Sequence, residues 1–399
     1  MLKAIGALAF VVALLLSIMV HEFGHYLTAK KFGMKVTEFF LGFGAKLWSF
    51  TRGETEFGIK AIPAGGYCRI TGMSTHEELS PEDEPRAFVR ASTLKRLIVL
   101  GAGSFTHFLL GFALIFLIFF GIGIPASQPV IDRVLPCITE SSAPSLACTS
   151  TSTPSPALRA GLKVGDKVIS INGKIVKNWS EDILIVRRSA GKSVTLVIER
   201  GGENATVIVT PAAQIVNGAT TGILGIYSKI GLQREGLVTA TKDTGALGSS
   251  IFTTSIRSLI SLPTKIPALF RQTFLGDNRD PNGLVGVVGA AQASAATVSN
   301  HSMSSGEKIE SFLLIIASLN IFIGIFNLFP LLPLDGGHMA LALVDGFRRI
   351  WARRRSRPVP HPVDLEILTP VTIVVFVLLA GLSLMLLAAD IFNPVHFNL

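Results

Sequence analysis

The chain has 399 residues, of which 49% are hydrophobic and only 16% are charged, and its formal net charge is +9. Soluble domains carry about 25% charged residues on average, so this composition excludes an ordinary soluble enzyme and favours a membrane protein. A basic excess suits nucleic acid, an anionic membrane surface or a membrane-topology signal, and the positions of the charges distinguish these classes.

Four stretches of the chain are almost free of charged side chains over the length of a bilayer. Crossing about 30 Å of hydrocarbon takes roughly 20 helical residues. The sequence therefore predicts a polytopic α-helical membrane protein with four transmembrane helices, in the runs Ala4 to Ala29, Leu97 to about Ile124, Ser311 to Leu334 and Ile367 to Ala389. A cleaved signal peptide is the alternative for the first run, but no small-x-small cleavage site follows it.

Basic residues are concentrated in two of the segments that join these helices. One cluster lies between Lys30 and Arg96, and the other lies between Arg348 and Arg357. Short basic loops stay in the cytoplasm, whereas long domains cross the membrane regardless of charge. We therefore expect both basic loops in the cytoplasm, with both termini and the long segment from about 127 to 310 outside. This topology explains the basic excess and excludes nucleic acid as a partner.

The beginning of the outer segment carries two cysteines. Cys137 and Cys148 flank the start of a Ser-, Thr- and Pro-rich stretch, Thr139 to Ala157, which is typical of a flexible loop. In an oxidising compartment the two cysteines could form a disulfide, and the alternative is a pair of free or buried thiols. Cys68, on the cytoplasmic side, should remain reduced.

From Leu158 onward the pattern alternates between apolar and polar residues. It predicts a strand and an Asn-Gly turn over Lys167 to Gly173, a short helix over Trp179 to Arg188, and a hairpin over Ser193 to Thr210. This succession resembles a PDZ domain of the permuted bacterial type. PDZ domains bind extended peptides by strand addition, with a purely steric role as the alternative, and the peptide-binding loop cannot be located from the sequence.

Three ionisable residues lie close together inside the first predicted helix: His21, Glu22 and His25. The histidines are four positions apart, about 40° round a helix, so both imidazoles face one direction. The His-Glu-x-x-His pattern supplies two zinc ligands and a general base. Charged groups inside a spanning helix cost roughly 2.5–3.5 kcal/mol each, which favours a functional site over a pair of buried structural histidines.

A catalytic zinc site needs a third protein ligand, which should also lie in or beside the membrane. His107 in the second helix is a candidate, but a lone histidine among small residues is more typical of packing. Asp335 is preferred, and we expect it to end the third helix, where prolines break the backbone and Gly336-Gly337 permits close approach. In this interpretation His338 is a supporting or structural residue rather than a fourth ligand.

Together these motifs resemble the site-2 protease family of intramembrane zinc metalloproteases. The resemblance covers most of the chain and is carried by His21-Glu22-Phe23-Gly24-His25, by Leu334-Asp335-Gly336 and by the PDZ-like segment between them. It implies that His21, His25 and Asp335 bind Zn²⁺ and that Glu22 is the catalytic base. It also implies a bacterial inner (cell) membrane location with the PDZ domain extracytoplasmic.

The resemblance implies substrate contacts as well. Asn327 and Pro330 match an Asn-x-x-Pro segment that is proposed to hold substrate in this family. The next family proline is displaced, since Leu332 stands at its position and the proline is Pro333, which affects the local contact geometry.

A segment in the first basic loop also fits the family. Thr55 to Ile62 alternates and is followed by Gly65 and Gly66. The family interpretation is a membrane-associated β-loop whose free edge pairs with unwound substrate, and a plain cytoplasmic hairpin is the alternative.

The predicted organisation is four segments: residues 1–126 with two transmembrane helices and the β-loop at 38–75, a PDZ-like domain at 127–215, a linker with interfacial helices at 216–310, and two transmembrane helices at 311–399. The family resemblance implies hydrolysis of a peptide bond in a single-span membrane protein, typically an anti-sigma factor, after an upstream site-1-type protease has cut it. The alternatives are a non-catalytic membrane-anchored PDZ scaffold and a transporter, and the latter is disfavoured because the segments show no internal repeat.

Overall fold

The computed structural model describes residues 1–73, 77, 79–138, 148, 152–216, 218–280, 283–358, 363 and 368–395. The chain forms two compact units. One combines Met1–Ile122 with Glu235–Leu399, and the other is Gly123–Arg234. The first unit is built mainly from helices and the second mainly from strands.

The helices, in chain order, are α1 (Leu2–Lys31), α2 (Thr93–Phe116), α3 (Pro156–Arg159), α4 (Trp179–Asp182), α5 (Leu184–Arg187), α6 (Leu237–Ile260), α7 (Leu262–Phe274), α8 (Val287–Ser299), α9 (Ser305–Asn327), α10 (Asp335–Arg354) and α11 (Thr369–Phe392). A π-helical turn, Leu117–Ile122, continues α2. Two short 3₁₀ turns, Glu84–Arg86 and Phe88–Arg90, precede α2.

Within the described ranges, four helices are long and apolar enough to cross a membrane: α1, α2 with its π-helical turn, α9 and α11. This result confirms the prediction of four transmembrane helices. The helix α9 begins with a capping box in which Ser304 and Glu307 each bond the other's backbone amide. It is shifted towards the N-terminus relative to the predicted run, because it ends at Asn327 instead of Leu334.

Small residues bring the spanning helices into backbone contact. A β-carbon on Gly24 of α1 would lie 2.6 Å from the carbonyl oxygen of Ala102 in α2. In the same way Gly111 of α2 packs against Ile321 of α9, where an added β-carbon would lie 2.7 Å from Cγ1 of Ile321. Only glycine permits such spacing, and close packing replaces the hydrophobic effect as the attraction between helices in lipid. The result is a tight α1–α2–α9 core.

The described part of the linker region contains the helices α6, α7 and α8, which all pack on the spanning bundle, and α8 lies closely against α1. A β-carbon on Gly6 of α1 would lie 2.8 Å from Cα of Ala295 in α8. Ser294 of α8 is fully buried. The small side chains that make α8 too weakly apolar to face lipid are therefore the ones that let it lie against α1.

A long antiparallel hairpin, β1 (Val36–Arg52) and β2 (Thr55–Ile70), follows α1. Its register is irregular, because Phe40 lies opposite both Tyr67 and Gly58. The first half of β1 is thus paired on both sides. Within the part of the chain that the structure describes, the Gly66–Cys68 stretch of β2 pairs only with β1, so its other edge, the open edge of β2, is paired with no strand.

The second unit carries a sheet with the strand order β10-β3-β4-β6-β7, in which β5 pairs with β4, and a separate β8–β9 hairpin. The strands are β3 (Ile124–Val134), β4 (Lys167–Ile171), β5 (Lys174–Ile175), β6 (Val194–Arg200), β7 (Glu203–Val209), β8 (Ala212–Val216), β9 (Ala219–Ile223) and β10 (Ile226–Gln233). Val168, Ile171, Leu196 and Ile198 are buried in a shared core. The strands β4, β6 and β7 match the sequence pattern, and the predicted helix is present as α4 followed by α5.

Cys137 and Cys148 are joined by a disulfide bond in this unit, and Cys68 is a free cysteine. The Ser/Thr/Pro-rich stretch predicted to be a loop lies largely outside the described residues. The compact unit extends to Arg234, so the strands β9 and β10 belong to it although they lie beyond residue 215.

One sequence-based expectation about the third helix is wrong. Asp335 does not end that helix but begins the next one, α10. The chain leaves α9 at Asn327 because Pro330 and Pro333 lack the amide hydrogens that a continuing helix needs. The basic run from Arg348 is likewise helical as far as Arg354, where a loop was expected.

Candidate zinc centre

The centre starts from the position of two histidines on α1. His21 and His25 are both buried, one helical turn apart, on the face of α1 that packs against α2. Gly24 lies between them and lets the backbone of α2 approach α1. The predicted common direction of the two imidazoles is present, since their Nε2 atoms are 3.1 Å apart.

Asp335 completes a triangle with the two histidines. Its Oδ2 atom lies 3.2 Å from Nε2 of His21 and 3.4 Å from Nε2 of His25. Within the described residues, these three side chains form a cluster that could hold a metal ion. His107, the other sequence candidate for a ligand, is not a member of it.

The triangle has the dimensions of a zinc site. Tetrahedral zinc with nitrogen and oxygen ligands at about 2.0–2.1 Å places neighbouring ligand atoms roughly 3.3 Å apart. All three observed separations lie near this value. Three protein ligands also leave the fourth tetrahedral position for water or substrate, which is the pattern of a catalytic site rather than a structural one. The residues present therefore fit zinc.

The two histidines are held in different ways. Nδ1 of His25 lies 2.7 Å from the carbonyl oxygen of Val99. It therefore donates a hydrogen bond to that oxygen and leaves Nε2 free to bind a metal. Nδ1 of His21 is buried and has no hydrogen-bond partner among the described residues. Gly103 of α2 lies directly against both rings, and a β-carbon added to it would be 2.4 Å from Cε1 of His21.

The break after α9 brings Asp335 to the histidines. Gly336 and Gly337 are buried against the chain that precedes them, and a β-carbon on Gly336 would lie 2.2 Å from the carbonyl oxygen of Leu328. Glycine at this position is therefore a steric requirement of the turn. This packing explains why the motif places two glycines directly after the ligand.

Glu22 lies next to the open edge of β2. A β-carbon on Gly66 would lie 3.4 Å from Cγ of Glu22 and 3.1 Å from Sδ of Met19. The edge strand thus passes beside the residue expected to act as the base. Gly65, with a φ of +144°, adopts a backbone conformation that side chains rarely permit and packs near the ring of Phe43.

The remaining substrate-binding candidates lie on the approach to Asp335. Asn327 is the last residue of α9 and is half-buried, whereas Pro330 is exposed in the segment between α9 and α10. The structure brings neither of them into the three-residue triangle. Their assignment to substrate binding stays a prediction.

The sequence predicted only one member of a buried polar network that lies beside the triangle. His107 was recognised as a packing residue, but its partners were not: Nδ1 of His107 is 2.8 Å from Oδ1 of Asn320, and Nδ2 of Asn320 donates to Oγ of Ser17 at 3.0 Å. The three residues come from α2, α9 and α1. Uncharged polar residues inside apolar spans were the available signal, because such residues need partners in lipid.

Comparison with known proteins agrees with the geometry. The family model described as "Peptidase family M50" matches residues 9–368. The chain is 36% identical to the zinc metalloprotease Rip1 of Mycobacterium tuberculosis, covering 99% of both chains. It is 28% identical to a putative zinc metalloprotease of Rickettsia conorii, covering 96% of this chain and 98% of the relative. It is 26% identical to the regulator of sigma-E protease RseP of Salmonella typhimurium, covering 94% and 96%. The chain therefore belongs to peptidase family M50, the site-2 protease family of intramembrane zinc metalloproteases.

Proposed function

We propose that the chain cuts a peptide bond in the transmembrane segment of a single-span membrane protein, with His21, His25 and Asp335 as zinc ligands and Glu22 as the base. One observation carries the proposal. The three ligand atoms form a zinc-sized triangle within the helical unit, and the open edge of β2 passes beside Glu22.

The chemistry divides between the metal and the protein. When bound, zinc supplies Lewis-acid activation of water and of the scissile carbonyl. The Glu22 carboxylate takes the proton from the attacking water and passes it to the leaving amine. His25 keeps its Nε2 lone pair directed at the metal because its Nδ1–H is engaged by Val99.

The hairpin β1–β2 presents substrate to this centre. A helical substrate hides its amides, so cleavage requires an extended segment, and an edge strand can hold such a segment through main-chain hydrogen bonds. Gly66 lies on that edge beside Glu22. Phe43, Leu47, Trp48 and Ile62 of the hairpin are all exposed. Exposed apolar side chains next to four spanning helices suit contact with lipid or with a transmembrane substrate, so the hairpin works as a membrane-associated β-loop.

The strand-rich unit provides a peptide-binding groove, as a PDZ domain would. A pocket of about 470 Å³ lies between the helices α4–α5 and the segment Gly222–Ser228. The strand β10 is at the end of the sheet, so its outer edge is available for strand addition. This unit either tethers a substrate or sterically excludes one that still carries its outer domain.

This arrangement supports a proposal for the substrate class. A domain outside the membrane that filters by size requires a protease that acts first, as in regulated intramembrane proteolysis. We propose an anti-sigma factor as the substrate, since a relative covering almost the whole chain is named a regulator of sigma-E protease. The basic segments set the orientation, with both termini and the PDZ-like unit outside the cytoplasm and the cut in the cytoplasmic half of the substrate helix.

Co-expression with candidate single-span proteins tests the function. Each candidate is supplied both intact and without its outer domain, together with either the wild-type chain or the Glu22→Gln variant. We expect a new fragment only from the shortened candidate and only with the wild-type chain. Fragments of equal amount with both versions of the chain would contradict the proposal and favour the membrane-anchored scaffold.

A further inference from the structure

The two histidine ligands differ in what orients them. Ligating histidines normally donate their second ring N–H to a carbonyl or carboxylate, and this contact fixes the tautomer and the ring direction. His25 has this contact with Val99, but Nδ1 of His21, although buried, has no hydrogen-bond partner in the part of the chain that the structure describes. Another part of the molecule must therefore fix the ring of His21.

The ring of His107 packs against the ring of His21. Its centroid lies 4.9 Å from that of His21, with an angle of 37° between the ring planes. Gly103 contacts His21 as well, so the imidazole of His21 is confined by the backbone of α2 and by a side chain one turn further along it. His107 is 1% exposed, and it has no room to swing away into solvent.

A chain of hydrogen bonds holds His107 in turn. Nδ2 of Asn320 lies 2.8 Å from the carbonyl oxygen of Ile316, which can only accept, so the amide of Asn320 has a single sensible orientation. Its Oδ1 therefore faces Nδ1 of His107 and accepts a hydrogen bond from it. This fixes both the direction and the tautomer of the His107 ring. Asn320 also donates to Ser17, which lies one turn before His21 on α1.

We propose that His107 is a positioning residue for the zinc ligand His21, locked by Asn320, and that its ring restrains the direction of the His21 ring by packing, where the Val99 carbonyl restrains His25 by a hydrogen bond. This inference rests on the proposed zinc site. The three helices that carry the network are thereby held in the register that the metal needs. Buried polar networks of this kind are costly when only partly satisfied, so breaking one member disturbs the others.

The test measures metal binding instead of proteolysis, with the full-length protein in detergent. Zinc affinity is measured by competition with a chelator, and the site geometry is followed by the visible absorption bands of bound Co²⁺. The variants are His107→Ala, Asn320→Leu and the double variant. Loss of an outer partner of a metal ligand typically weakens metal binding about 10- to 100-fold. We expect both single variants to lose at least about tenfold in zinc affinity and to shift the Co²⁺ bands.

The double variant shows whether the two residues act through one ring. If Asn320 works by holding His107, the double variant should bind zinc no more weakly than His107→Ala alone, since nothing remains to be held. Losses that multiply would contradict the proposal, because they would mean that the two residues act independently.

A control variant separates positioning from general damage to the bundle. Asp390→Asn breaks a buried ion pair elsewhere in the helical unit. Its partner is Arg279, and the side chains of Asp390 and Arg279 are 1% and 3% exposed. It should lower the melting temperature and leave zinc affinity and the Co²⁺ bands unchanged. Equal losses of zinc affinity in Asp390→Asn and Asn320→Leu would overturn the positioning role.

The failure of this inference is distinguishable from failure of the zinc site itself. A wild-type chain that binds no zinc would contradict the proposed function. A wild-type chain that binds zinc, together with Asn320→Leu and His107→Ala variants that bind it equally well, would contradict only the role of His107.

Discussion

Gly103 of α2 lies in contact with the imidazole of His21, so closely that a methyl group at this position would be 2.4 Å from Cε1 of the ring. The same methyl group would be 2.5 Å from Nε2 of His25, the atom proposed to bind zinc. A hydrogen atom is therefore the only side chain that the centre accepts here.

Gly103→Ala should abolish or strongly weaken zinc binding, because the added carbon displaces both histidine ligands. Gly101→Ala is the matched control, since it makes the same change on the same helix and its β-carbon would lie 3.7 Å from Cε of Met339, an ordinary contact distance. Zinc content after dialysis against a weak chelator measures the difference. Equal zinc retention by the two variants would show that the ligands do not lie where the structure has them.

The ion pair between Arg96 of α2 and Asp345 of α10 should be important for stability. Its atoms are 3.3 Å apart, and the side chains are only 9% and 4% exposed. Asp345 also accepts a hydrogen bond from the backbone amide of Val363. Removing one member of a buried pair typically costs about 3–5 kcal/mol, since the other charge stays buried without compensation.

We therefore expect Asp345→Leu and Arg96→Met each to lower the melting temperature markedly, and the double variant to lie above the lower of the two. Thermal unfolding in detergent makes this comparison. A double variant that equals the sum of the single losses would indicate that the two charges do not interact.

The stability of the strand-rich unit should depend on pH through Asp182. Its carboxylate is bonded by Nζ of Lys174 at 2.7 Å and by the amides of Lys177 and Asn178, and these contacts lower its pKa from 3.8 to about 2. A lowered pKa means that the stabilisation is complete above the unfolded value and is lost as the pH falls through the folded value.

The difference in melting temperature between the wild-type chain and Asp182→Asn should thus be constant above about pH 4 and shrink towards pH 2. Glu203→Gln, at an exposed position of β7, serves as the control for removal of one negative charge. A difference that stays constant down to pH 2 would mean that the charge of Asp182 contributes nothing.

Local patterns predicted the parts of this molecule that depend on neighbours in sequence. The apolar runs indicated the four spans, and the i, i+4 spacing indicated that His21 and His25 share one direction. The hairpin β6–β7 followed from its alternation and its glycine pair. In each case the structure is determined by interactions between residues that are only a few positions apart in the sequence.

Long-range contacts account for what the sequence could not reveal. Asp335 meets the histidines only because the chain turns sharply after α9, and a run of apolar letters does not show where such a turn falls. The pairing of His107 with Asn320 joins positions 213 residues apart. The packing of α8 against α1 depends on Gly6, whose role is visible only once its neighbour is known.

The proposed reaction needs both zinc at His21, His25 and Asp335 and a proton transfer by Glu22. A comparison of the purified wild-type chain with Glu22→Gln tests both requirements, by measuring bound zinc and cleavage of one shortened single-span substrate in the same samples. We expect equal zinc in both proteins and cleavage only by the wild type, because Glu22 is not a proposed ligand. Cleavage that survives in Glu22→Gln, or cleavage by a wild-type protein that holds no zinc, would contradict the proposed reaction.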